Sequence, residues 1–375
     1  MKRCRLRLSG NELVVKALKA GGVRHAFAVS GGQLLGVFDA LADEPSIRLV
    51  VPRSEDAAIT MADGCARASG TPAAVLTTVG VGPVNLPLGM AEARDSCTPV
   101  ISIAPAPQNW KTDPLQENLQ GCCQNDLMKP LTRWSVVIRQ WERIPALLSR
   151  AFREALAEPP GPVHADVPFD VLFEKRFIEK KRFEQLFPRS KTPAASGRST
   201  RLENPGAKIP PFRGDASTAS GSRRAATLKK IHDELSANDL AVYDGVAPPG
   251  GAATRRRTPT GKTIQPFRAN TGRGLPLALG AKIASPRSRV VLFTTGASLF
   301  RSVRELETAR AYGLSVAIFV FAAERDGDDA ARGVGFPEIA EAFGLRGTVL
   351  PSGKKGDAAI RTPLKSETAS LVEIH

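Results

Sequence analysis

Cysteine, aromatic side chains and long apolar runs are all scarce in this chain, and each scarcity removes a class of protein. Its five cysteines, Cys4, Cys65, Cys97, Cys122 and Cys123, are odd in number and form no CxxC or zinc spacing. That argues against a disulfide framework or a metal knot and in favour of reduced thiols. Aromatic residues make up 6% of the chain, and no RNP-type aromatic motif, zinc finger or helix-turn-helix accompanies its basic runs. No apolar stretch is long enough to cross a bilayer. The opening "MKRCRLRLSG" is interrupted by Arg3, Arg5 and Arg7 and lacks the apolar centre of an export signal, so a cytoplasmic location and no membrane partner are expected.

Basic residues, by contrast, are in excess: the formal net charge is +15. The excess gathers in "EKRFIEKKRFEQLFPRSK" and in Arg255-Arg256-Arg257, which read as linker or loop. Without a recognition motif beside them, these runs describe an arginine-rich soluble protein, and nucleic acid is not an expected partner.

Helical and strand patterns alternate at short intervals from Ser9 to Phe173, as in "NELVVKALKAGGVRHAFAVSG", "PSIRLVVPR", "EDAAITMADGCARASG", "PAAVLTTVG", "PVNLPLGMAEARDS" and "PVISIAP". This alternation predicts a doubly wound α/β domain on a mostly parallel sheet, spanning 1–174. From 175 to 226 the period is lost in basic, Pro-, Ser- and Gly-rich sequence, "RSKTPAASGRSTRLENPGAKIPPFRGDASTASGSRR", which reads as a linker without a core of its own. Alternation resumes over 227–375 with "ATLKKIHDELS", "DLAVYDG", "GLPLALGAKIAS", "SRVVLFTT", "SVRELETARAYG", "LSVAIFVFA", "FPEIAEAFG" and "ASLVEIH", predicting a second doubly wound domain of the same class. Within it, "VVLFTTGASLFRSV" has the strand, small-residue turn and helix by which many α/β proteins hold a phosphate, yet the turn contains no carboxylate.

The motifs resemble those of the thiamine diphosphate (ThDP) enzymes, particularly the acetolactate synthase and benzoylformate decarboxylase group. "VVPRSEDAAITMADGCARASG" is similar to that group's arginine step, glutamate and "MADGYAR.TG" helix, through Glu55, Met61-Ala62-Asp63-Gly64, Ala66-Arg67 and Gly70. "TTVGVGPVNLPLGMAEARDSCTPVISI" resembles the segment after it, with Gly80, Gly82, Asn85, Gly89, Asp95 and Pro99 in place. Gln116-Glu117, "KPLTRWS" and "GPVHADVPFDV" are similar to the segments closing the pyrimidine-binding domain. In the second half, Asp244-Gly245, "GRGLPLALGAKIASP" and "SVRELETARAYGL" resemble the diphosphate-binding domain.

The resemblance implies decarboxylation or carboligation of small 2-oxo acids. Glu55 would activate the cofactor's aminopyrimidine so that the thiazolium carbon can lose its proton. It implies cofactor contacts from Gly31, Gly80, Gly82, Asn85, Gln116, Gly272, Gly274, Gly296, Ala297 and Ser298, and a homodimer or a pair with a homologous subunit. The residues' bland readings stand beside these: a helix-dipole carboxylate for Glu55, turn and packing glycines, and a cap or surface group for Asn85 and Gln116. The family's Mg²⁺ ligands fall here on Gly296 and Ala323, neither of which has a side-chain oxygen, so no metal residue is assigned. The acidic run Glu324, Asp326, Asp328 and Asp329 is the remaining source of a replacement ligand. Thr271 stands where the synthases often carry a methionine. Residues 175–226 replace a full central domain, which argues against FAD. The alternative is a catalytically inactive relative that serves as structural or regulatory partner of an intact homologue.

Overall fold

The computed structural model describes residues 5–110, 120, 122–179, 183, 185, 223–246, 262–264, 271–321, 335–351 and 354–375. They belong to two compact units, Met1–Glu203 and Asn204–His375.

In the first unit the chain runs β1 (Arg5–Ser9), α1 (Gly10–Ala20), β2 (His25–Ala28), α2 (Leu35–Ala42), β3 (Arg48–Val50), α3 (Glu55–Ser69), β4 (Ala73–Leu76), α4 (Val81–Val84) and α5 (Pro87–Asp95). It continues through β5 (Val100–Ala106), α6 (Gln124–Met128), β6 (Trp134–Val137), α7 (Ile144–Leu156), β7 (Val163–Pro168), α8 (Phe169–Phe173) and β8 (Lys175–Glu179). The second unit contains α9 (Arg223–Asp233), β9 (Leu240–Asp244), β10 (Lys262–Ile264), α10 (Gly274–Ala284), β11 (Val290–Thr295), α11 (Gly296–Ser302) and α12 (Glu305–Ala311). It closes with β12 (Val316–Phe321), α13 (Phe336–Ala342), β13 (Arg346–Val349), α14 (Lys354–Leu364) and β14 (Ser370–Ile374).

Each unit is built on a six-stranded parallel sheet, ordered β3-β2-β4-β5-β7-β6 in the first and β10-β9-β11-β12-β14-β13 in the second. Numbered within its own unit, each sheet follows the same path, so the two halves are topological copies. The central strands read as unbroken apolar runs because helices cover both faces. Val290 to Phe293 and Val316 to Phe321 are buried throughout. In the second sheet Phe293 lies in register with Tyr243 on one side and Phe319 on the other. The three rings stack with centroids 4.8 and 5.9 Å apart.

Three features differ from the sequence expectation. The helix expected over "PVNLPLGMAEARDS" is two helices, α4 and α5, separated at Asn85–Leu86. Pro87 has no N–H to continue the first helix, whereas it suits the first turn of the second. Residues 175–179, read as linker, form β8, paired antiparallel with β1. Leu8 and Ile178 are buried on one side of this ribbon, while the exposed Phe177 carries the Arg7 guanidinium 5.9 Å from its centroid. At the other end, residues 223–226 are the first turn of α9 rather than linker.

Helix α3 is fixed at both ends. Ser54 Oγ accepts the Ala57 N–H at 3.1 Å, and Gly70 closes the helix in the left-handed region at φ 72°, where glycine carries no side-chain penalty. Within it, the Asp63 carboxylate is buried and Arg67 Nε donates to it at 2.8 Å, while the same guanidinium donates to Ser96 Oγ at 2.6 Å. This clamp joins α3 to the end of α5. Arg67→Ala is expected to destabilise the first unit by about 3 kcal/mol, because it leaves a buried carboxylate uncompensated. Replacing both partners by apolar residues of similar volume is expected to cost far less. Urea denaturation of the two variants measures the difference.

Two histidines make the fold acid-sensitive. Burial lowers the pKa of His232, whose Nδ1 lies 2.7 Å from the Tyr243 hydroxyl, with Asp233 opposing and Lys229 adding to the shift. Burial, Arg48 and Arg24 lower that of His25, whose Nδ1 lies 3.5 Å from Cys65 Sγ. Burial pushes the Cys65 thiol up to about 12. Both histidines are harder to protonate folded than unfolded, so the unfolded chain binds more protons just below their ordinary value of about 6.5. Stability from this source is complete above that pH and lost as pH falls. The urea midpoint is expected to be level from pH 7 to 8 and to drop between pH 6.5 and 5. A midpoint that rises on acidification would refute this.

Candidate functional site

In a parallel doubly wound sheet, ligands bind at the carboxyl ends of the strands, where the strand order changes direction. That point lies between β2 and β4 in the first unit and between β9 and β11 in the second.

The turn after β2 carries Gly31 and leads into a single 3-10 turn, Gly32–Leu34. The turn after β4 carries Gly80 and Gly82. These turns are closely apposed. A Cβ on Gly31 would stand 2.7 Å from Thr78 Cβ and Oγ1, and one on Gly82 would stand 2.8 Å from Thr77 Cβ. Thr78 Oγ1 donates to Gln33 Oε1 at 2.8 Å, tying one turn to the other. Gly80 is glycine for two reasons: its φ is +75°, and a Cβ would lie 2.7 Å from Gln120 Cα.

Glu55, half-buried, is the first residue of α3, one step after the Ser54 cap. Asn85 Nδ2 donates to Glu55 Oε2 at 3.2 Å. The chain break between α4 and α5 that leaves Asn85 at a helix end therefore also brings its amide to the carboxylate. Glu55, with one oxygen engaged by an exposed asparagine, retains lone pairs for a ligand.

The Gly80 turn is held from behind by a buried polar chain that the motifs alone did not single out. Gly80 N–H donates to Gln124 Oε1 at 2.9 Å, and Gln124 Nε2 donates to Pro105 O at 2.8 Å and to Asp166 Oδ1 at 2.5 Å. His164 Nε2 lies 2.9 Å from that same Asp166 oxygen, and His164 Nδ1 lies 3.0 Å from Ser102 Oγ. Ser102, Gln124, His164 and Asp166 are all buried. Cys122 Sγ lies 3.7 Å from Gly80 O, and burial, Asp166 and Cys123 push its pKa up. The signal in the sequence was polar residues two apart in a strand with no exposed face. His164 and Asp166 on β7 share a side, and Ser102 on β5 is the register partner of His164.

In the second unit, Asp244 ends β9 and is buried. Its carboxylate accepts the Gly272 N–H at 3.0 and 3.1 Å and the Gly274 N–H at 2.8 Å. Burial pushes its pKa up, against the N–H groups of Gly274, Gly272 and Arg273 and the Arg273 guanidinium. Across the crevice, Thr295 Oγ1 caps α11 by accepting the Ser298 N–H at 3.3 Å, and it lies 3.1 Å from Ser298 Oγ. Gly245, at φ +71°, lies close enough that a Cβ would stand 2.7 Å from Ser298 Oγ. Gly272, Gly274, Gly296, Ala297 and Ser298 thus gather at one corner. Gln116, Ala323 and the acidic run Glu324 to Asp329 lie outside the described residues.

Among the described residues, the donor set at this corner does not suit Mg²⁺, which is bound through one or two carboxylates in octahedral geometry. Gly296 has no side chain, the Thr295 and Ser298 hydroxyls engage each other, and the Asp244 oxygens are taken by N–H groups. Among the described residues, no group of three or more His, Cys, Asp or Glu side chains is placed to hold a metal ion.

Comparison with known proteins relates each of the two units to a thiamine pyrophosphate binding domain. Residues 8–129 match the model of the thiamine pyrophosphate enzyme N-terminal TPP binding domain, and residues 251–327 match that of the C-terminal TPP binding domain. The chain belongs to the thiamine pyrophosphate enzyme family. Within that family it is acetolactate synthase-like. It is 34% identical over 198 residues to the isozyme 3 large subunit of acetolactate synthase from Escherichia coli (strain K12), covering 52% of this chain and 34% of that protein. It is 36% identical over 174 residues to a probable acetolactate synthase large subunit from Methanocaldococcus jannaschii, covering 46% and 29%. Against the acetolactate synthase of Bacillus subtilis (strain 168) the identity is 35% over 165 residues, covering 44% and 28%. The chain thus matches about a third of the length of these relatives. One model match falls within each of the two α/β units described above. No helix among the described residues is long and apolar enough to cross a membrane.

Proposed function

We propose that this chain binds thiamine diphosphate and acts on a small 2-oxo acid by acetolactate synthase-type decarboxylation and carboligation. The observation that carries this reading is Glu55, a half-buried carboxylate at the head of α3 with, among the described residues, one oxygen engaged, by Asn85. It belongs to the unit whose crevice is lined by the Gly31 and Gly80 turns.

When bound, the cofactor supplies an electron sink for loss of carbon dioxide from a 2-oxo acid. The chain's own residues do the rest. Glu55 hydrogen-bonds the aminopyrimidine ring and holds a proton there. Asn85 keeps the Glu55 carboxylate aimed. Gly31 lets the two turns approach, Gly82 lets the β4 turn fold back on Thr77, and Gln124, steadied by Asp166 and His164, fixes the Gly80 backbone that would face the ligand.

A second reading is favoured by Gly296, which offers no side-chain oxygen where the family binds its metal: the chain acts as a non-catalytic partner that lends Glu55 to an intact homologue. Release of carbon dioxide from pyruvate and 2-oxobutanoate by the purified protein with ThDP tests the first reading. Release only after an intact homologue is added, above the homologue's own rate, supports the second. No release in either case rejects both.

A further inference from the structure

At the amino end of the second unit's sheet, away from the Gly296 corner, a half-open cavity of about 240 Å³ lies by the starts of β11 and β12 and the end of α14. Lys282, Arg289, Ser315, Pro363, Leu364 and Ser366 line it, and its wall is more polar than apolar. Lys282, in the last turn of α10, is 9% exposed. Its ammonium donates to Pro286 O at 3.0 Å and to Ser288 O at 2.9 Å, both neutral oxygens, and it has no ion pair among the described residues. Burial lowers its pKa, as expected of a cation drawn out of water without a counter-charge. Buried charges are ordinarily paired, and an ammonium has three N–H donors, so one is left without an acceptor among the described residues. Arg289 is similar. Its Nε donates to Asp239 Oδ1 at 3.0 Å and its Nη2 to Asp239 Oδ2 at 2.5 Å and to Glu234 O at 3.1 Å, which leaves Nη1 without a partner among the described residues.

We propose that this cavity binds a small oxyanion of phosphate size, with Lys282 supplying the charge and Arg289, Ser315 and Ser366 supplying further donors. The site stands apart from the cofactor crevices and does not depend on the reading that the chain binds ThDP. Ammonium, guanidinium and hydroxyl donors lining one cavity suit an ion with several oxygens. The volume is below the roughly 300 Å³ at which sites for drug-sized ligands begin, so it suits a free ion. Asp239 works against an anion here, but Arg289 engages both its oxygens, and Oδ2 also accepts the Ser236 N–H and hydroxyl. The exposed Lys365, between the lining residues Leu364 and Ser366, adds positive charge to the same surface.

The test is calorimetric titration of the full chain with inorganic phosphate in chloride buffer at constant ionic strength. Saturable binding is expected, with a dissociation constant on the order of 1 mM. Lys282→Met keeps the length of the stem and removes the charge, and it is expected to weaken phosphate at least about tenfold, the usual scale for a lost charged hydrogen bond. Because Lys282 is buried, Ser366→Asp serves as a second variant. Ser366 is half-buried and accepts the Thr368 N–H at 3.3 Å, which an aspartate can also accept, so the fold tolerates the change. The new carboxylate lines the cavity and is expected to abolish phosphate binding by repulsion. Absence of saturable binding to the wild type overturns the proposal. Phosphate binding that a folded Lys282→Met or Ser366→Asp protein retains at wild-type strength overturns it too, because the ion would then sit elsewhere on this basic chain.

Discussion

Glu55→Gln is expected to reduce carbon dioxide release from 2-oxo acids by about 10²- to 10⁴-fold, the usual scale for loss of an acid–base group. The substitution keeps the size of the side chain, its place in the first turn of α3 and an oxygen able to accept from Asn85. It removes the negative charge and the capacity to hold a proton. The thermal midpoint should therefore move little, since Glu55 is only half-buried and has no ion-pair partner among the described residues. A rate within a few-fold of wild type, in a protein that turns over, would show that Glu55 is an ordinary helix-terminal carboxylate whose fit to the family motif carries no catalytic role.

The largest effect on stability is expected at the centre of the second sheet. Phe293 is fully buried, stacked on Tyr243 at 13° and on Phe319 at 18°, and it lies on β11, which leads into the Gly296 corner. Phe293→Ala deletes the middle ring of three and leaves a cavity that rigid sheet neighbours cannot close, so a loss of about 3–5 kcal/mol is expected. That is a large part of the roughly 5–15 kcal/mol by which domains are stable. Phe293→Leu, which refills much of the volume, should cost clearly less. Chemical denaturation followed by the second unit's signal measures both. Equal costs for the two variants would mean that the stack is not a packed unit.

Much of this arrangement is legible in the sequence because it is local. The alternation of helix and strand gave two doubly wound units, since central parallel strands such as β11 and β12 are continuous apolar runs with no other stable environment. Glu55 was legible because it heads a segment that resembles the family's arginine step, glutamate and helix, and Gly70 marks the far end of α3. Pro87 carried a helix break in plain view, and the consequence, Asn85 at a helix end beside Glu55, needed the three-dimensional path. The β1/β8 ribbon was hidden by its own composition. Its two five-residue strands carry two basic residues each and lie far apart in the chain, and Leu8 and Ile178 are the apolar residues buried in it. The support of Gly80 was hidden for a different reason. Ser102, Gln124, His164 and Asp166 come from three separate elements, and only the register of β5 against β7 and the fold of α6 across them bring the chain together. Asp244 was visible as a strand end, but its partners are backbone N–H groups that no side-chain pattern encodes.

The central claim is that the two turns at the first unit's switch point form the cofactor's binding surface. Hydrogen–deuterium exchange of the full chain with and without ThDP tests it most directly. Protection is predicted in the segments spanning residues 29–34 and 78–86, together with the head of α3 at Glu55, while the β1/β8 ribbon exchanges unchanged. Binding accompanied by no protection at the Gly31 and Gly80 turns would contradict the account, because the ligand would then be held somewhere else.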